Sequence, residues 1–227
     1  MAILKGEGRV PILFGTWVLA VPPNRSAYIA RPDLEGEYAT VIVAHDQNGV
    51  TPGVRAIARY LARHGYSVMV PDLTRGSRSG GGEFEWVVSD LTDAVDTARI
   101  PGTRWASDSR IAMIGVGVGG IAASIVAAEE AAVGVLVLAG AVLDADLLSE
   151  SDAALLVLQG ARDEMAPADE VRDMQQAVGR GEWVLYSGVG LGFLDEGSES
   201  FDAAVSADAL GRAIDFLDRC FGEVTTA

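Results

Sequence analysis

From Thr40 onward, short continuous apolar runs alternate with segments of helical periodicity, and few folds can accommodate that alternation. Thr40–Ala44, Ser67–Val70, Ile111–Ile114, Val135–Leu138, Leu155–Leu158 and Trp183–Tyr186 read as strands, several of them apolar at every position, as strands covered on both faces are. After the first run, Thr51 is placed to cap a helix with Pro52 at its first position. Val54, Ile57, Ala58 and Leu61 then recur at i, i+3, i+4 and i+7, and Gly65 ends the helix. A second helix turns Phe84, Val87, Val88, Leu91 and Val95 inward, leaves Asp90, Asp93 and Asp96 outward, and stops at Pro101-Gly102. An Ala-rich helix reaches about Ala132, Glu170–Val178 is helical, and the last helix aligns Leu210, Ile214, Leu217 and Phe221. Strand and helix in alternation predict a doubly wound, mostly parallel α/β sheet of about seven to eight strands with helices on both faces. The length of 227 residues, with no internal repeat or linker, suits one domain across 1–227.

The amino end is ambiguous at first sight. Lys5 and Arg9 precede an apolar stretch from Val10 to Val21, as in a secretory signal, but Pro11, Gly15 and Thr16 interrupt it and Glu7 sits in the basic part. A first strand is the expectation there. No run approaches about 18 uninterrupted apolar residues, so no membrane span is expected. The 32 Asp and Glu against 17 Lys and Arg give a formal charge of −15, which opposes phosphate backbones and anionic membrane surfaces. Nucleic acid and membrane are therefore poor partners. One cysteine, Cys220, excludes an internal disulfide and a multi-cysteine metal site, and it fits a cytoplasmic location. Neither a metal nor a cofactor is expected.

Chemistry is most readily sought at the turn Gly115–Gly120, GVGVGG, which joins a strand to a helix. Gly115, Gly117 and Gly120 satisfy G-x-G-x-x-G, so dinucleotide binding is one reading. Against it, the following strand ends in Ala139-Gly140 with no acid for a ribose hydroxyl, and the turn falls midway along the chain. The other reading is a nucleophile elbow, whose small neighbours would be Gly115, Gly119 and Gly120. Its central position is then Gly117, which has no side chain to attack with.

Several segments in order carry a resemblance: YIARP at Tyr28–Pro32, VIVAHDQNG at Val41–Gly49, HGYSVMVPDL at His64–Leu73, IGVGVGG at Ile114–Gly120, GARDEMAP at Gly160–Pro167 and YSGVGLGF at Tyr186–Phe193. Together they resemble the dienelactone hydrolase family of α/β-hydrolases, from about Ser26 to Phe221. The resemblance implies the α/β-hydrolase fold and activity on small lactones or carboxylic esters. It places the family's nucleophile, a cysteine, at Gly117, its catalytic acid at Asp163 and its histidine at Leu191. Asp46 stands in place of a family glutamate, and the backbone N–H groups of Gln47 and Val118 fall on the oxyanion hole. Only His45 and His64 are available as imidazoles, and both precede Asp163, whereas triads of this fold run nucleophile, acid, base. No small shift of register restores the base.

The expectation is a non-catalytic pseudo-hydrolase that binds a small carbonyl-bearing or carboxylate ligand, or a protein partner such as a second copy or an active homologue. A hydrolase rebuilt around His45 and Asp46 is the alternative, and dinucleotide binding the third. Asp163 is read as an Asx-turn residue rather than a working acid. His64 caps its helix, while His45 is left open between ligand contact and hydrogen-bonded loop residue. Arg75 and Arg78, beside the flexible loop Ser77–Gly82, are candidates for gripping an anion or for solvated side chains. Trp86 is expected in the core, Ser124 on a preceding carbonyl, and Cys220 as a small packed hydrophobe.

Overall fold

The computed structural model describes residues 10–19, 25–74, 84–100 and 105–222. Each apolar run becomes a strand of one eight-stranded sheet, and the uncertain amino-terminal stretch supplies its first strand. In chain order the elements are β1 (Ile12–Val18), β2 (Ser26–Pro32), β3 (Thr40–Ala44), α1 (Pro52–Arg63), β4 (Ser67–Pro71), α2 (Phe84–Arg99), β5 (Ile111–Gly117), α3 (Gly119–Glu129), β6 (Val133–Ala141), α4 (Ala145–Glu150), β7 (Ala154–Gly160), α5 (Ala168–Val178), β8 (Glu182–Tyr186) and α6 (Ala203–Phe221). Across the sheet the order is β1-β2-β4-β3-β5-β6-β7-β8. β2 runs antiparallel to both β1 and β4, and the remaining pairs are parallel.

The period of two along each strand divides the apolar residues between two cores. Ile42, Met69, Met113 and Leu136 face one way, against α2, α3, α4 and α5. Val41, Val43, Val68 and Val137 face the other, against α1 and α6. Because α1 and α3 cover opposite faces, the strand order reverses between β3 and β5, and a crevice opens at their carboxyl ends, where doubly wound sheets bind ligands. His45-Asp46 leaves β3 at that crevice, and Gly117-Val118 leaves β5 beside it.

Local chemistry explains the boundaries. Thr51 Oγ1 accepts the Val54 N–H at 3.1 Å with Pro52 at the first helical position, so α1 starts where a cap and a pre-set φ coincide. α4 escaped the sequence reading because six residues are too short for a periodic signal; Asp144 caps it through the Asp146 and Leu147 N–H groups. α3 ends at Glu129, ahead of the expected Ala132, and β6 extends beyond Val135–Leu138 at both ends. Three side chains also depart from expectation. Asp90 is buried, held by the Arg25 guanidinium at 3.0 Å, rather than turned to solvent. Trp86 is 42% exposed rather than buried in the core, and Cys220 is exposed. Ser124 does donate to the Gly120 carbonyl at 2.8 Å, and His64 caps α1 with its Nδ1 at 2.8 Å from the Tyr60 carbonyl. Arg75, Arg78, the Ser77–Gly82 loop and Pro101-Gly102 lie outside the described residues. Among those described, no helix is long and apolar enough to cross a membrane.

Candidate functional site

At the end of β5 the chain turns sharply at Gly117, whose φ of +56° is left-handed, and enters α3 at Gly119. The turn is tight because backbones meet there. A Cβ on Gly119 would lie 2.4 Å from the Ala44 carbonyl oxygen, and one on Gly120 would lie 2.6 Å from the Ala141 Cβ. These glycines are thus accounted for by contacts within the chain, as an elbow requires. Asp144, the first acid beyond β6, caps α4 through its Oδ1.

Gly117 itself faces Asp46. A Cβ at Gly117 would come within 2.7 Å of the Asp46 Cβ, so the aspartate fills the volume into which a nucleophile's side chain would project. Asp46 is fixed there. Its Oδ1 accepts the Asn48 N–H at 2.8 Å, its Oδ2 the Asn48 side-chain amide at 2.9 Å, and its carbonyl the Gly49 N–H at 3.1 Å.

His45 is 2% exposed, and both ring nitrogens are committed. Nε2 accepts the Leu73 N–H at 3.1 Å, which leaves Nδ1 protonated to donate to the Asp46 carbonyl at 2.7 Å. Burial pushes its pKa below the ordinary histidine value, against the raising effects of the Asp46 carbonyl and the Asp72 and Asp46 charges. The ring is a neutral brace between the ends of β3 and β4. Of the two readings left open for it, these bonds are those of a hydrogen-bonded loop residue.

Asp163 is also buried, with a more committed carboxylate than the sequence suggested. Oδ1 accepts the Met165 N–H at 2.9 Å, the Asx turn expected of it. Oδ2 accepts from the Gln159 amide at 2.7 Å, and Gln159 Oε1 in turn accepts the Ala141 N–H at 3.1 Å. Gln159 was missed because nothing in an apolar strand marks one amide as a partner four residues ahead. The acid loop still adjoins the loop where the histidine would belong, with the Arg162 N–H donating to the Val189 carbonyl at 2.9 Å.

A cleft of about 550 Å³ opens between the β3–α1 and β8–α6 loops. Leu191, where the resemblance puts the family's histidine, is half-buried in its wall with Asp46 and Gln47. The wall also contains Asp195, which the sequence did not single out. Its Oδ2 accepts from the Thr51 hydroxyl at 3.2 Å and its Oδ1 accepts the Gly197 N–H at 2.9 Å. A Cβ on Gly53 would strike Asp195 Oδ1 at 2.2 Å, so a glycine in the first turn of α1 lets this carboxylate dock on the positive end of the helix. Asp46, Asp195 and Glu196 make the described wall anionic, with no Lys or Arg to balance them. The N–H groups of Gln47 and Val118 donate to no acceptor among the described residues, and the Val118 side chain is 39% exposed. The described residues contain no cluster of three or more metal-ligating side chains.

Residues 26–221 match the family described as dienelactone hydrolase. A Yersinia pestis protein provisionally named carboxymethylenebutenolidase is 28% identical over 219 residues, spanning 84% of this chain and 82% of that protein. A solved structure provisionally named dienelactone hydrolase, from Klebsiella pneumoniae, superposes with a TM-score of 0.82 at 23% identity and covers 92% of this chain and 99% of its own. Thermogutta terrifontis esterase 2, phosphorylated by paraoxon, superposes with a TM-score of 0.75 at 18% identity, covering 94% and 96%.

Proposed function

The chain belongs to the dienelactone hydrolase family, and from that premise we propose that it binds a small molecule without hydrolysing it by nucleophilic attack. The observation that carries this reading is the contact at the elbow: Gly117 offers no nucleophile, and the Asp46 Cβ would be 2.7 Å from any side chain placed there. The other triad positions agree. Leu191 contributes no imidazole, and both Asp163 oxygens are engaged by the framework. General-base assistance alone is worth about 10² to 10⁴ in rate, and triad members act as a unit. What remains at the elbow is a pair of backbone donors at Gln47 and Val118 that no described residue engages, suited to a carbonyl oxygen. Asp46, Asp195 and Glu196 oppose a carboxylate ligand and favour a neutral or cationic molecule bearing a carbonyl group.

Hydrolysis of an activated acetate ester tests this, with Asp163→Ala and His45→Ala as controls. The expected result is no rate above that of the variants, together with a thermal shift from an amino amide but none from the matching amino-free carboxylate. A rate lost in Asp163→Ala would overturn the reading.

A hydrolase with relocated chemistry is the second reading, favoured by the esterase and hydrolase names of its relatives and neighbours. With the His45 ring committed, its general base would be a cleft carboxylate, Asp46 first, activating water. A rate that survives both control variants but collapses in Asp46→Asn would establish it.

A further inference from the structure

The sheet ends in two very different edges. At one, β8 is five residues long and opens on Glu182, which pairs with Arg219 at 2.7 Å, a charged edge of the kind that deters further pairing. At the other, β1 is seven residues long, ILFGTWV, with no charge and no proline. Among the described residues β1 pairs on one side only, with β2 along its whole length. No described residue covers its outer rim of backbone donors and acceptors, which is a template for pairing.

The side chains on that rim are apolar and held in place. Phe14 is 58% exposed, tilted against Tyr28 with centroids 6.4 Å apart, and the Arg59 guanidinium lies 5.6 Å from its ring. Trp17 is 42% exposed and meets Trp105 edge-on at 6.0 Å. Leu13 and Val18 are 41% and 68% exposed. Together these four present roughly 400 Å² of apolar side chain, given about 150–250 Å² for a whole aromatic. That is about half of the ~800 Å² a partner brings to a standard interface, before the backbone ladder is counted.

We infer that a second copy of this chain covers the edge, with β1 pairing antiparallel to its own symmetry mate about a two-fold axis through Gly15. The strand is self-complementary in that register. Leu13 faces Trp17 of the mate, Phe14 faces Thr16 and Ile12 faces Val18, on alternating faces, all favourable cross-strand combinations. Glycine falls on the axis, where the strands approach, and no residue of β1 itself is charged. The result is an isologous interface and a sixteen-stranded sheet across the dimer, twice the eight strands of one copy.

Sedimentation of the full chain over a hundredfold concentration range reads the dimer directly. Leu13→Lys and Val18→Lys, both at exposed positions, should each weaken it at least tenfold while leaving the far-ultraviolet spectrum unchanged. Independently, Gly15→Cys in a Cys220→Ser background should form an interchain disulfide. Facing Cα atoms in an antiparallel pair are about 4.5–5.5 Å apart, and the new Cβ meets nothing closer than Trp17 Nε1 at 3.5 Å. Thr16→Cys in the same background should not cross-link, because its mate sits diagonally at about 7–8 Å. A monomer at every concentration, a dimer indifferent to both lysines, or cross-linking at Thr16 rather than Gly15 would each overturn the inference.

Discussion

Asp46 and Gly117 fit together as a pair, so a side chain placed at Gly117 must displace Asp46. Gly117→Ser should yield no esterase activity. It should also cost about 1–3 kcal/mol, combining a left-handed φ of +56° with a Cβ forced to 2.7 Å from Asp46. Urea unfolding measures the loss. Asp46→Gly in the same chain should recover part of it, a coupling that two independent sites would not show. His45 makes a prediction with a definite sign. Its folded pKa is lowered by burial, so well above the free value of 6.5 the ring is neutral in both folded and unfolded chains and adds no pH dependence. Below that value the unfolded chain takes up a proton that the folded chain refuses. Stability should then fall as pH drops from 7 to 5.5, with a slope of at most about 1.4 kcal/mol per pH unit from this ring. His45→Gln should flatten that segment of the profile; an unchanged slope would mean that the ring is not what titrates.

The amino end of α1 joins the fold to the cleft, since one turn of helix satisfies its own cap and anchors the loop carrying Leu191. Thr51→Ala removes the acceptor for the Val54 N–H and the donor to Asp195, and should cost about 1–2 kcal/mol. Gly53→Ala should instead expel Asp195, because its Cβ would overlap Oδ1 at 2.2 Å, and so loosen residues 191–198 selectively. Faster amide exchange confined to that loop would show it, and uniform loosening of α1 would count against it. Thr51 and Pro52 announce the helix start in the sequence, but nothing there says that a carboxylate 144 residues away docks on it. The same division runs through the fold. Strands and long helices could be read because apolar period and capping are local. Asp90 could not, because its partner Arg25 lies 65 residues back and reaches it only once β2 and α2 are packed. His45 stayed undecided for the same reason: the Leu73 N–H that claims its Nε2 is 28 residues on. The proposed loss of the triad, by contrast, rests only on residue identities at Gly117 and Leu191.

Charge and sheet edge oppose each other in the assembled protein. Each chain carries a formal −15, so two copies meeting at β1 repel one another over a range set by the ionic strength. β1 itself is uncharged, and the contact gains nothing from ion pairs that salt would weaken. The screening length falls from about 30 Å at 0.01 M to about 8 Å at 0.15 M, so added salt removes repulsion while leaving the apolar and backbone contacts intact. Dimerisation should therefore tighten several-fold between those two conditions, the reverse of an interface held by opposite charges. Lowering the pH toward the sequence pI of about 4.4 at fixed low salt should act in the same direction, until loss of fold intervenes. Sedimentation at low and physiological salt separates the cases. Weakening with salt would place the contact on a charged surface elsewhere, because an uncharged strand between two acidic bodies cannot respond that way.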